Sequence, residues 1–122
     1  GTGRSKMDDR IRMTTIFSVE AGGGETFSDV VDQACEMLRS DPGVLCFEWF
    51  MNEAGTTCTG WEEYRDSADL IRTHKELSGA LSNALKVARI ERHVILGQVT
   101  TQVREIMPPI VEYLGERHGF RR

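Results

Sequence analysis

No apolar run in the sequence approaches the roughly 20 residues that a bilayer-spanning helix needs, and its opening residues lack the apolar stretch of a secretory signal. The expectation is a cytoplasmic protein with no membrane partner. Cysteine is scarce: Cys35, Cys46 and Cys58 are odd in number, form no CxxC pair and have no histidines at metal-ligand spacing around them. They read as reduced core thiols, since free cysteine is among the most buried residue types. Positive charge is in deficit, with 15 Lys and Arg against 19 Asp and Glu, a net charge of -4 and a pI near 5.4. That balance disfavours binding to phosphate backbones, so nucleic acid is not an expected partner. Gly22 to Gly24 are not followed by the GxxxxGK[ST] pattern of a phosphate loop and read as a turn.

What is present suits a single globular domain. The chain has 122 residues, 39% hydrophobic and 28% charged, enough to close one core. Gly1 to Lys6, ahead of Met7, look like a cloning remnant, and the domain is expected over 8–122.

The pattern along the chain alternates between periods of two and of 3.6. Ile11, Met13, Thr15, Phe17 and Val19 occupy alternate positions and predict a half-buried strand. Thr26 with Asp29 resembles a capping box, and Phe27, Val30, Val31, Ala34, Met37 and Leu38 form a helical apolar stripe. Asp41-Pro42-Gly43 ends that helix. Val44 to Met51 is a nearly unbroken apolar run that predicts a central strand covered on both faces, and Thr56 to Tyr64 returns from a short hairpin loop over Asn52 to Gly55. Asp66 caps the next helix, whose Leu70, Ile71, His74 and Leu77 share a face. Leu81, Leu85 and Ala88 continue it past a bend or break near Gly79. His93 to Val99 predicts a fourth strand, Thr100 or Thr101 a further cap before Val103, Ile106 and Met107, and Pro108 with Pro109 an interruption. Ile110 to Leu114 is apolar enough to dock, and Gly119 to Arg122 reads as a fraying end.

The order is βαββαβ with a C-terminal helical extension: an α+β, ferredoxin-like arrangement, an antiparallel sheet with helices on one face. If its second face is apolar, a second copy of the same sheet is the simplest cover, which makes a homodimer the expected assembly.

Trp61-Glu62-Glu63-Tyr64-Arg65-Asp66-Ser67-Ala68, followed by His74, resembles the strand-to-helix junction of the antibiotic biosynthesis monooxygenase family. There a Glu and a Tyr two residues apart close the third strand, an Asp and a small residue open the second helix, and a His follows. Ile95 to Thr100 and the helix after it are similar to an extension in some members, so the resemblance covers about residues 10 to 107. It implies a homodimeric α+β barrel with a pocket between sheet and helices. Some relatives oxidise polycyclic phenols or quinols with molecular oxygen and no cofactor, others degrade haem, and many have no assigned activity. Haem degradation is the weaker reading, because those relatives place a Trp and a His on the second helix, and residues 66 to 78 hold His74 but no Trp.

Chemistry points to the same region. With Met51 set opposite Thr56, Trp49 faces Cys58 and Phe47 faces Gly60, which leaves a hole beside Leu45, Glu62 and Tyr64. Phe47 and Trp49 then either fill the core or wall a pocket for a small hydrophobic or aromatic molecule, with Trp61 and Glu62 as further binding residues. His74 points toward the sheet, where a neutral imidazole either accepts a phenolic proton or serves as a hydrogen-bonded core residue. Tyr64 either orients a substrate hydroxyl or ties strand to helix. Glu62 and Glu63 point to opposite faces and form no carboxylate pair. The leading expectation is a monooxygenase, free of metal and cofactor, acting on a quinol or polycyclic phenol, with His74 and Tyr64 catalytic. The alternatives are a non-catalytic dimer that binds a hydrophobic molecule and a scaffold whose pocket its own side chains fill.

Overall fold

The computed structural model describes residues 9–122, so the cloning remnant expected before Met7 lies outside the described residues. The architecture is α+β. Strand β1 (Ile11–Val19) is followed by helix α1 (Gly24–Leu38), the hairpin β2 (Val44–Met51) and β3 (Thr57–Tyr64), helices α2 (Ser67–Glu76) and α3 (Ser78–Ala84), and β4 (Ala88–Leu96). A short helix α4 (Thr101–Ile106) and strand β5 (Glu112–Leu114) complete it. The sheet order is β2-β3-β1-β4-β5, antiparallel except for the parallel β4·β5 pair.

β1 behaves as its alternation requires. Ile11, Met13, Thr15, Phe17 and Val19 all face inward and are buried, and β1 is the middle strand of the sheet. β2 is therefore an edge strand, a correction to its reading as central. Its unbroken apolar run is exposed on one side, where Phe50 is 64% accessible, and a bulge between Val44 and Cys46 turns Leu45 out to 43%. The hairpin register is also two residues from the expected one: Met51 faces Cys58, Trp49 faces Gly60 and Phe47 faces Glu62. The loop is longer because Asn52 organises it, its Oδ1 accepting from the backbone N–H groups of Thr56 (2.8 Å) and Thr57 (3.0 Å). A slip of two keeps every side chain on its expected face.

α1 begins inside the glycine run, with Gly23 at its N-cap and no side-chain cap, so Thr26 lies within the helix. Phe27, Ala34 and Leu38 are buried while Met37 is half exposed. α2 keeps its expected cap, Asp66 accepting from the Asp69 N–H at 2.9 Å. Leu77 ends α2 and opens α3, two residues before Gly79. β4 starts at Ala88 rather than His93, so Ala88 belongs to the sheet and not to the preceding helix. The extension is only partly helical. After Met107 closes α4 and Pro108 and Pro109 end any helical course, Glu112–Leu114 adds a fifth strand beside β4.

Two packed clusters join the inner sheet face to the helices. One gathers Ile11, Met13, Tyr64, Leu70, Ile95 and Val103; the other gathers Phe17, Val19, Phe27, Cys58 and Ala84. Phe17 and Phe27 meet edge to face at 5.0 Å, the arrangement aromatic quadrupoles favour. Among the described residues no helix is long and apolar enough to cross a membrane.

Candidate functional site

Between the inner sheet face and helices α1 to α3 lies a cavity of about 110 Å³. A single water needs only about 10–15 Å³ on the same scale, so the space suits a ring-sized molecule. The register fixes what each strand contributes. One line of residues crosses the sheet as Trp49, Gly60, Thr15 and His93, and the next as Phe47, Glu62, Met13 and Ile95. Phe17, Phe47, Trp49, Tyr64, Glu62 and His93 line the space from the sheet; Phe27, Leu70, His74 and Leu81 line it from the helices.

Gly60 makes room for Trp49. A Cβ at position 60 would stand 2.5 Å from the indole ring carbons, so the ring lies across a position that only glycine leaves open. The hole expected at Gly60 is thus filled by the ring of Trp49, which stands opposite it where Phe47 was expected. Trp49 packs 5.8 Å from both Phe47 and Phe17, which makes that wall aromatic. Its indole N–H is buried and has no hydrogen-bond partner.

The polar groups are few and largely dry. Glu62 is 4% exposed and accepts a hydrogen bond from the Tyr64 hydroxyl. Burial pushes the Glu62 carboxyl up to about 7, although the bond from Tyr64 acts the other way. Burial, together with the Glu62 carboxylate beside it, raises Tyr64 far above the ordinary phenol range, so it stays a proton donor. His74 on α2 is half-buried, and burial lowers its pKa. His93 on β4 is pushed down to about 4, first by burial and then by the charge His74 carries when protonated. Both imidazoles are neutral near pH 7, and neither nitrogen of His93 has a hydrogen-bond partner. The site therefore pairs neutral bases with a carboxyl group that holds its proton close to neutral pH.

Six residues stood out in the sequence, and five of them line this cavity: Phe47, Trp49, Glu62, Tyr64 and His74. Trp61 does not. It is one position from Glu62 on a strand, so it points to the outer face, where its indole N–H donates to Glu63 at 3.0 Å. Glu63 is on that face as well, held by Arg10 at 3.2 Å and Arg121 at 2.9 Å. Leu45, expected beside the pocket, is turned out by the bulge. Sequence reasoning missed His93. The signal was its inward position two residues before Ile95, an alternation that runs unbroken from Arg92 to Leu96 opposite β1. Among the described residues no three His, Cys, Asp or Glu side chains converge where a metal ion could sit.

No protein-family profile matches the chain, and no curated protein does. Solved structures share its fold. MupZ from Pseudomonas fluorescens matches with a TM-score of 0.77 at 20% identity, over 93% of this chain and 94% of that one. SnoaB, a cofactor-independent oxygenase from Streptomyces nogalater, gives 0.63 at 14% identity, over 76% of this chain and 96% of that one. A Bacteroides thetaiotaomicron protein provisionally named an antibiotic biosynthesis monooxygenase gives 0.62 at 13%, over 76% and 90%. At such identities the likeness is one of fold.

Proposed function

We propose that the protein is a cofactor-independent monooxygenase that oxidises a quinol or polycyclic phenol with molecular oxygen. The observation that carries this reading is the apolar, aromatic-walled cavity with neutral His74 and His93 and the proton-holding Glu62–Tyr64 pair on its wall. The fold likeness to SnoaB, a cofactor-independent oxygenase, supports it.

The chemistry follows from the groups. His74 takes the phenolic proton, a step that a neutral imidazole performs well near neutral pH. The electron-rich phenolate passes one electron to dioxygen, and the two radicals couple at a ring carbon that bears hydrogen. Glu62, hydrogen-bonded to Tyr64, protonates the resulting peroxide anion. The O–O and C–H bonds then break with loss of water, which leaves a carbonyl at that carbon. In sum, a phenol and O₂ give a quinone and water, the substrate supplying all four electrons. The dry cavity keeps the reactive intermediates from bulk water and strengthens each polar contact. The proposal includes a second copy of the chain over the outer sheet face, where Ile16, Phe50 and Trp61 lie.

The test is oxygen uptake by purified, chelator-treated protein given a panel of hydroquinones and polycyclic phenols. At least one compound should elicit uptake, and His74→Ala should slow it by about 100-fold, the usual scale for a lost general base. Unchanged uptake in that variant removes His74 from the base role. Thermal stabilisation by the same compounds with no oxygen consumed would favour a non-catalytic binding protein instead.

A further inference from the structure

We infer that helix α3 is the gate of the cavity: it swings on its two ends, Leu77 and Leu85, to pass a ring-sized ligand, and closes with Leu81 over it. This rests on the reading of the cavity as a ligand site and is independent of the reaction carried out there.

The cavity meets solvent on its helix side. Val30 and Val31 of α1, and His74, Leu77, Ala80 and Leu81 along α2 and α3, line it and are half-exposed. The sheet residues Met13, Thr15, Phe17, Glu62, Tyr64 and His93 line it and are buried. α1 packs chiefly against α3, whereas α2 packs against β3 and α4. α3 is therefore the element that joins the two sides of the mouth.

It is also the more loosely held side. α2 is pinned by the Asp66 cap and by Asp69, which Arg65 and Arg72 bond, and Arg72 reaches on to Asp41 at 2.8 Å. Among the described residues, no side-chain hydrogen bond or ion pair anchors α3 to the rest of the fold. Of its seven residues only Ala84 is buried, and Leu81, on the cavity wall, is its one large apolar side chain. A helix of that length has little stability of its own. Segments with few buried contacts and no polar anchors open first, and lids of this kind move in microseconds to milliseconds.

Gly79, the residue that the sequence marks as a break, lies in the first turn of α3 rather than at the break itself. Its φ is not positive, and a Cβ there would meet nothing within 4 Å, so neither a turn nor close packing requires glycine. What glycine does supply is backbone freedom, which a helix gives up when it forms and regains when it opens. Beside the mouth, that freedom favours the open gate.

The experiment is fluorine NMR exchange spectroscopy of 4-fluorophenol, without oxygen, on the wild type, Gly79→Ala and Ser28→Ala. Gly79→Ala stabilises the closed gate equally with and without ligand. Entry and exit rates should therefore fall together, by about threefold, the worth of one such exchange in a helix, and the affinity should stay the same. Ser28→Ala raises helix propensity on α1 instead and should leave both rates unchanged. Both positions are open, so neither variant removes a packed side chain. Unchanged rates in Gly79→Ala overturn the inference, as does a slower entry with an unaltered exit, or an equal slowing by Ser28→Ala. No bound signal at any concentration removes the ligand site and both readings with it. The two otherwise separate: slowed exchange with no oxygen uptake by any phenol or quinol leaves the gate without the oxygenase, and uptake with unslowed exchange does the reverse.

Discussion

A carboxyl group with one hydrogen bond and no access to water keeps its proton, and Glu62 is in that position. Its folded-state value of about 7 lies above the ordinary 4.5, so the native state holds a proton that the unfolded chain has lost between those limits. The stability it contributes is fully present below pH 4.5 and is lost as pH rises through 7, a loss of up to about 3 kcal/mol. His93 works in the opposite direction. Its value is lowered from 6.5 to about 4, so its contribution is present above pH 6.5 and is lost as pH falls toward 4. Between pH 4.5 and 6.5 the two slopes oppose each other. Urea unfolding of Glu62→Gln against wild type is expected to show the variant gaining relative stability from pH 5 to pH 8, and His93→Gln the wild type losing relative stability from pH 6.5 to pH 4. A pH-independent difference for Glu62→Gln would mean that Glu62 ionises as an ordinary surface carboxylate does. Both residues illustrate what the sequence discloses at this scale. Glu62 was legible because its alternation with Tyr64 and Gly60 places all three on one face. Trp61 fails by the same rule, and His93, which obeys it in the regular run from Arg92 to Leu96, escaped because the expected strand began at it, five residues after the true start at Ala88.

Helix α2 and the β2·β3 hairpin are the elements that hold the site. α2 is fixed at its start by Asp66 on the Asp69 N–H, and Asp69 is itself a buried carboxylate bonded by Arg65 at 2.8 Å and by Arg72. Burial pushes Asp69 up, yet the Arg72 and Arg65 guanidinium groups together hold it below the usual carboxylate range. A side chain at Gly43 would come within 2.4 Å of the Asp69 carboxyl, so the β2 entry and the α2 start are built against each other. Asp66→Ala should cost about 1 kcal/mol of stability by loss of the cap, measurable as a lower urea midpoint. Gly60→Ala acts on the hairpin. Its methyl would overlap the Trp49 ring, and the expected outcome is about 1–3 kcal/mol of destabilisation together with a displaced indole, read as a shift in tryptophan fluorescence. Much of this was legible: the Asp66 cap, the α2 apolar face and the existence of the hairpin all follow from local residue chemistry. The hairpin register was not, because Asn52 adds backbone bonds that lengthen the loop. Nor was the start of β4, where Arg89, Glu91 and Arg92 mask the strand with charge and the bulge breaks its period.

For the molecule as a whole, the βαββαβ order was readable because each element announces its period, and the short β5 was not, since three residues after a proline pair carry no period of their own. The outer sheet face differs from a uniformly oily one. It sets Ile16, Phe50, Trp61 and Val94 beside Arg12, Glu48 and Glu63. A mixed face of that kind suits a specific, self-complementary contact, and sedimentation equilibrium is expected to return twice the chain mass, with Phe50→Glu shifting it toward the monomer. A wild-type monomer at tens of micromolar would contradict the paired assembly. The central claim concerns the cavity and its oxygen chemistry, and labelled dioxygen addresses it most directly. Chelator-treated protein incubated under ¹⁸O₂ with a hydroquinone or polycyclic phenol that it turns over should give a product with one heavy oxygen atom, and His74→Ala should give almost none in the same time. Product that carries no label, or label that appears as fast with His74→Ala as with wild type, would contradict the account.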